Sequence, residues 1–124
     1  MCFLSVVLFI FHHLLNTEYY GYSTMFCLNV FHLGVLFCLL VKAEGNFWIA
    51  SGIHLGWNYM QTCVLGVTAS GEDMSIGMFQ GTLNQANGFF QEAYGYEGSC
   101  TAAVLSVICI IGLIVYLKKK GKLQ

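Results

Sequence analysis

The sequence predicts an all-α fold, a polytopic transmembrane bundle of about four hydrophobic helices. Of the 124 residues, 57% are hydrophobic and only 9% are charged, whereas about 25% of the residues in a typical soluble domain are charged. The apolar residues form runs separated by polar segments, and no proline interrupts them. Such runs are typical of membrane helices, and the composition excludes an ordinary soluble domain. A chain of this length is expected to form a single membrane domain over residues 1–124.

The first two apolar runs flank a polar, aromatic break. Residues 1–15 lack the basic start and the small-residue cleavage site of a signal peptide, and they are fewer than the roughly 20 residues that a membrane-spanning helix needs. We therefore interpret them as the second part of a truncated helix. The break, residues 16–22, carries three tyrosines, which suit a membrane interface. The second helix is expected over residues 23–41.

The third and fourth helices are separated by a long polar stretch. A charged turn at residues 42–45 leads into the third helix, which is expected over residues 46–66, and the fourth is expected over residues 99–117. Residues 67–98 are too polar to span a bilayer. They are therefore predicted to form an extramembrane loop or to line a wet cavity.

Lysine placement predicts the orientation. Lysine-rich segments favour the cytoplasmic side, and four lysines follow the last helix within residues 118–122. With four helices, the turn that contains Lys42 falls on the same side as this tail. The sequence thus predicts a multi-pass protein of the cell membrane, surrounded by the lipid bilayer, with a cytoplasmic C-terminus. The net charge of −1 gives no signal for nucleic-acid binding, and the sequence does not indicate an oligomeric state.

Polar side chains inside the apolar helices are costly and need a physical reason. His54 and Asn58 are four residues apart and share one helix face, and one interpretation is that they join helices by hydrogen bonds, as we expect for His32. A metal site formed by His13, His54 and a loop carboxylate is an alternative. Zinc needs three or four ligands in tetrahedral geometry, and no spacing in the chain demands them, so neither a metal nor a cofactor is expected.

Two motifs on the hydrophobic helices resemble a known family. Residues 9–13 read F-x-x-x-H and residues 54–58 read H-x-x-W-N. This pair is similar to motifs of the CPBP family of intramembrane endopeptidases, which includes the type II CAAX prenyl proteases and the bacterial Abi proteins. Residues 47–66 look like the family's third-motif helix. Residues 95–99, G-Y-E-G-S, resemble the G-x-E-G-S that precedes the last helix in many bacterial members.

The resemblance implies hydrolysis of peptide bonds in a membrane cavity, on membrane-associated or prenylated peptides. In the family, a glutamate of an E-E-x-x-x-R motif is thought to activate water, assisted by the histidine of F-x-x-x-H. By match, His13 is the assisting histidine, and His54 and Asn58 are the donors that stabilise the oxyanion. Fixed donors act most strongly on an oxyanion in a low-dielectric pocket. Phe9 and Trp57 are the supporting residues of the same two motifs.

The chain departs from the family in one respect. It contains no E-E-x-x-x-R, since it has no arginine and no two adjacent glutamates. The resemblance therefore implies the C-terminal part of a CPBP domain, a truncated and catalytically incomplete copy without its general base. Glu97 is the best candidate for a substitute carboxylate, and a solvated loop carboxylate is the alternative interpretation. A function from another class, a non-catalytic membrane protein for partner binding or bacteriocin immunity, also stays open.

Overall fold

The computed structural model describes residues 2–71, 77–81 and 94–123. A π-helix continues the fourth α-helix, and a 3-10 turn precedes the fifth. The elements are α1 (Cys2–Leu14), α2 (Thr17–Tyr20), α3 (Thr24–Glu44), α4 (Trp48–Tyr59), the π-helix (Met60–Val64), the 3-10 turn (Tyr96–Gly98) and α5 (Cys100–Lys119). The all-α fold class is confirmed.

Side-chain caps begin the two longest helices. The hydroxyl of Ser23 accepts a hydrogen bond from the N–H of Phe26 at 3.1 Å and so satisfies one free donor in the first turn of α3. Ser99 caps α5 in the same way. Lys42 was expected in a charged turn after the helix. It lies in the last turn of α3 itself, because the helix ends only at Gly45. The φ of 74° at Gly45 is the left-handed conformation that commonly terminates helices.

The third predicted helix changes its winding before it ends. The α-helical part stops at Tyr59, and Met60–Val64 is a π-helix. Within it, the hydroxyl of Thr62 donates to the carbonyl oxygen of Asn58 at 2.8 Å. A threonine hydroxyl bonded four residues back competes with the α-helical backbone pattern. The chain leaves the helix at Gly66, where φ is 62°.

Helix α3 lies at the centre of the bundle, with α1 and α5 as its main neighbours. Helix α1 runs antiparallel to it, because Ile10 packs against the core cluster that includes Phe26 and Val30, whereas Val6 lies beside Gly34. The close approach at Gly34 leaves little room, since a Cβ there would lie 3.2 Å from Val6 Cγ1.

Helix α5 runs parallel to α3. His32 and Ser106 are hydrogen-bonded at 3.2 Å midway along the pair. At the far end, the Nζ of Lys122 donates to the carbonyl oxygen of Ala43. The prediction that His32 is an interhelical hydrogen-bond partner is confirmed.

In the part of the chain that the structure describes, two helices, α3 and α5, are long and apolar enough to cross a membrane. Their most apolar windows have mean hydropathies of 2.2 and 2.6, and only 22% and 11% of those windows is buried. A core helix of a soluble protein would be mostly buried, so these exposed apolar faces fit a lipid environment. The other two long elements, α1 and α4, have 13 and 12 residues, fewer than a span needs. The predicted count of four spanning helices is therefore not confirmed.

The lysines and the described parts of the predicted loop lie at opposite ends of the bundle. The contact of Lys122 with Ala43 brings the lysine tail to the end of α3 that carries Lys42. At the start of α3, the ring of Tyr94 stacks on Phe26 with centroids 4.0 Å apart. Residues 72–76 and 82–93 of the predicted loop lie outside the described residues. The side of the membrane on which each end lies stays a prediction.

Candidate functional site

The F-x-x-x-H motif folds into a local unit on α1. Its spacing places Phe9 and His13 on one helix face, with ring centroids 4.2 Å apart. The Nδ1 of His13 lies 2.8 Å from the carbonyl oxygen of Phe9. A carbonyl oxygen only accepts, so Nδ1 carries the proton and Nε2 of the neutral ring is left as the acceptor. The motif thus fixes both the direction and the tautomer of His13.

The second motif lies on α4, where His54 faces α1 and α3. Its ring centroid is 5.4 Å from Phe9, 5.4 Å from Phe37 and 5.8 Å from His13. These aromatic contacts hold the imidazole from two sides. They also bring together two motifs that are about forty residues apart in the sequence.

All three residues predicted to be catalytic line one cavity. Its volume is about 240 Å³, and it lies between the end of α1, α4 and the turn at residues 69–71. All of the lining residues except Ala69 have polar side chains, and the described residues of the lining include no aspartate or glutamate. The lining residues are His12, His13, Asn16, His54, Asn58, Thr62, Ala69 and Ser70.

Asn58 has an unsatisfied polar atom. Its Oδ1 is buried and has no hydrogen-bond partner. A buried acceptor without a partner costs about 1–3 kcal/mol, and such groups need a physical explanation. The unpartnered atom is an acceptor, and the donating group of this amide is its Nδ2.

Glu97 occupies a different place from the one expected. Only 2% of its surface is exposed, so the interpretation as a solvated loop carboxylate is wrong. One oxygen, Oε1, accepts from Trp57 Nε1 at 3.1 Å and from Gln61 Nε2 at 3.4 Å. The other, Oε2, accepts from the hydroxyl of Ser70 at 2.5 Å. Glu97 does not line the polar cavity, and Ser70 joins the two.

The other residues of the G-Y-E-G-S segment also make specific contacts. Gly95 has a φ of 59° and lies against the carbonyl oxygen of Thr68, with which a Cβ would collide. The N–H of Tyr96 donates to Gln61 Oε1 at 3.0 Å. Ser99 ends the segment by capping α5. The segment therefore fastens the start of α5 to the π-helix that follows α4.

Several residues of this region were not predicted as part of a site. Gln61 is buried, and its amide joins the π-helix to the 3-10 turn. Ser70 has a φ of 52°, which is uncommon for a residue other than glycine, and its carbonyl oxygen accepts from Asn16 Nδ2 at 2.7 Å. A polar residue in an apolar helix was a signal for Gln61. No sequence signal singled out Ser70 or Asn16.

His54 also borders a second, apolar cavity. This cavity has a volume of about 160 Å³ and lies between α3, α4 and α5. Leu33, Leu36 and Leu105 are among its apolar lining residues. The imidazole therefore separates a polar cavity from an apolar one.

The alternative of a metal site requires a group of ligands. Within residues 2–71, 77–81 and 94–123, no group of three or more His, Cys, Asp or Glu side chains is placed to hold a metal ion. His13 and His54 meet in the cavity, but no described carboxylate joins them there.

The fold and the cavity define the class of protein. It is an all-helical membrane protein in which two histidines and an asparagine line a common polar cavity. Residues 1–60 match the family model described as type II CAAX prenyl endopeptidase Rce1-like, which confirms the resemblance to the CPBP family. The chain is thus similar to the type II CAAX prenyl endopeptidases over a segment that contains both motifs. The match does not include the G-Y-E-G-S segment. No curated protein and no solved structure matches the chain.

Proposed function

We propose that this chain is a membrane endopeptidase of the CPBP type that is catalytically incomplete. It supplies the assisting histidine and the oxyanion donors of the site. The observation that carries the proposal is the cavity shared by His13, His54 and Asn58. These residues come from two motifs that the family match includes.

The chemistry follows from the groups in the cavity. In the reaction, the oxygen of a water attacks the carbonyl carbon of a peptide bond, and negative charge develops on the carbonyl oxygen. The N–H of His54 and the amide of Asn58 donate to that oxygen. One such donor is worth about 10²–10³ in rate. The Nε2 of His13 accepts a hydrogen bond from the water, because its Nδ1 is bonded to Phe9.

The proton of the attacking water needs a base, and among the described residues no carboxylate lines the polar cavity to accept it. Both oxygens of Glu97 already accept hydrogen bonds from Trp57, Gln61 and Ser70. His13 is held by a neutral carbonyl, which stabilises an imidazolium less than a carboxylate would. These contacts, together with a sequence that contains no E-E-x-x-x-R, support the proposal that the chain does not hydrolyse peptides by itself.

The substrate class follows from the family and from the second cavity. The apolar cavity at His54 lies beside the polar one and suits an alkyl group attached to a peptide. We therefore propose a membrane-associated or prenylated peptide as the substrate. We also propose a multi-pass location in the cell membrane with a cytoplasmic C-terminus, because the lysine groups at one end of the bundle favour that side.

The test is a cleavage assay on the full chain in nanodiscs with a prenylated peptide. We expect no cleavage above that of empty nanodiscs. We expect cleavage when a separate transmembrane segment that carries E-E-x-x-x-R is co-expressed, and we expect His54→Ala and Asn58→Ala to abolish it. If the chain alone cleaves the peptide and both substitutions abolish that cleavage, the proposal that the chain is catalytically incomplete is refuted. Failure of every segment to restore cleavage would count against a peptidase.

A non-catalytic function is the alternative, and the lack of a carboxylate among the described residues of the cavity lining favours it. Such a chain would bind a membrane partner or a bacteriocin through its surface. In a host whose phenotype depends on the chain, His54→Ala at unchanged expression separates the two functions. A phenotype that survives the substitution supports binding, and one that is lost supports the peptidase.

A further inference from the structure

The buried carboxylate of Glu97 has no role in the mechanism above. Its three donors, from Trp57, Gln61 and Ser70, are all neutral groups. Burying an acidic group is costly unless its hydrogen bonds are satisfied. The three contacts satisfy the carboxylate, and they come from two different walls of the polar cavity.

The first wall is the helix that carries the oxyanion donors. Trp57 and Gln61 lie one turn apart, and both donate to Oε1 of Glu97. At about 100° per residue, His54 and Asn58 project about 40° apart and to one side of Trp57. Holding Trp57 and Gln61 on Glu97 therefore fixes the rotation of α4, and with it the direction of both donors.

The second wall is the turn at residues 69–71. Ser70 lines the cavity and donates to Oε2 of Glu97. Its positive φ is an uncommon conformation that costs about 1–3 kcal/mol and persists only where neighbouring contacts hold it. Contacts with Glu97 on one side and with Asn16 on the other supply that support.

We infer that Glu97 is a positioning residue that joins these two walls and thereby aims His54 and Asn58 into the cavity. The inference rests on the proposed function for its purpose. Its test does not require peptidase activity, so the two can fail separately.

Glutamine at position 97 separates hydrogen bonding from charge. A Glu97→Gln side chain keeps an oxygen for Trp57 and Gln61, and its amide N–H₂ can donate to the hydroxyl of Ser70, which also accepts. All three contacts survive without a charge. Glu97→Ala removes them all.

The first readout is the indole N–H signal of the ¹⁵N-labelled full chain in nanodiscs. Trp48 is 72% exposed and serves as an internal reference. We expect Glu97→Ala to move the Trp57 signal towards that of a solvated indole, and Glu97→Gln to leave it bonded. Glu44→Ala, at an exposed glutamate, is the control and is expected to move neither signal. An unmoved Trp57 signal in Glu97→Ala overturns the inference.

The second readout is the acylation rate of His54 by diethyl pyrocarbonate, resolved by mass spectrometry, with His32 as reference. We expect Glu97→Ala to change the rate at His54 by about fivefold, the factor by which one hydrogen bond shifts a local equilibrium. Glu97→Gln should restore the wild-type rate. An unchanged rate in Glu97→Ala, or an equal change in Glu97→Gln, overturns the inference.

A milder variant covers the case in which Glu97→Ala does not fold. Trp57→Phe removes a single donor and keeps most of the ring. We expect it to change the rate at His54 in the same direction, and we expect no additional change when it is combined with Glu97→Gln. A rate in Trp57→Phe that equals the wild-type rate counts against the positioning role.

Discussion

Replacing Gly95 with alanine is expected to unfold the junction between the G-Y-E-G-S segment and the turn at Thr68. The backbone of Gly95 has φ 59° and ψ −139°, which lies near a region that only glycine adopts readily. A Cβ there would also collide with the carbonyl oxygen of Thr68. That oxygen belongs to the backbone, so the turn itself would have to move.

A matched control separates the two parts of the expected loss of stability, the conformational part and the part due to the collision. Gly45 also has a positive φ, 74°, but nothing lies within 4 Å of a Cβ placed there. Gly45→Ala therefore loses only the conformational term, about 1–2 kcal/mol. For Gly95→Ala we expect about 3 kcal/mol or more, because a collision with backbone is added to a less accessible conformation.

The assay is chemical denaturation of the full chain in nanodiscs or detergent, followed by circular dichroism. The two variants are compared with the wild-type chain under one set of conditions. A loss of stability in Gly95→Ala that does not exceed the loss in Gly45→Ala would refute the close contact with Thr68. It would also remove the explanation given for the glycine of the segment.

Three further substitutions test single contacts. Asn29→Ala should cost about 2 kcal/mol, because the Nδ2 of Asn29 donates to two buried backbone carbonyls at 2.7 and 2.9 Å; a neutral result in denaturation would contradict this. A double-mutant cycle of His32→Ala and Ser106→Ala should give a coupling energy of about 0.6 kcal/mol, and additive losses would exclude their hydrogen bond. Asn58→Ala should not lower the stability, since it removes a buried Oδ1 that has no partner, yet it should lower cleavage in the complemented preparation by about 10²–10³; a large stability loss would show a structural role instead.

Local spacing was enough to predict part of the site. A separation of four residues places Phe9 and His13 on one face of α1, and the same separation places His54 and Asn58 on one face of α4. Helix geometry alone fixes these relations. The resemblance to a family then assigned both faces to one site, and in the structure the ring centroids of His13 and His54 lie 5.8 Å apart.

The surroundings of Glu97 could not be predicted in this way. The carboxylate lies on a polar segment, and its partners Trp57 and Ser70 are 40 and 27 residues away in the sequence. Whether such a residue is solvated depends on how the 3-10 turn packs beneath α4, and no periodicity reports that. The π-helix was likewise hidden, because hydropathy does not distinguish π-helical from α-helical winding.

The number of spanning helices could not be predicted from the sequence for a similar reason. The apolar run at residues 46–66 is long enough to span, but the structure divides it into 12 α-helical residues and a π-helix of five residues. Hydropathy measures apolar length and does not measure helical continuity. Gln61, which contacts Glu97, lies in this π-helical part, so the irregular end of the helix also supports the cavity.

The position of the cavity in the bundle sets a condition on its substrates. His13 is next to the last residue of α1, and Asn58 is next to the last residue of α4, whereas the lysine tail lies at the opposite end. A cytoplasmic tail, as the lysines predict, would place the cavity near the outer surface. We expect a green fluorescent protein fused to the C-terminus to fluoresce and an alkaline phosphatase fused there to be inactive. The reverse result would show that the lysine rule fails here and that the cavity opens to the cytoplasm, so that its peptides must come from inside the cell.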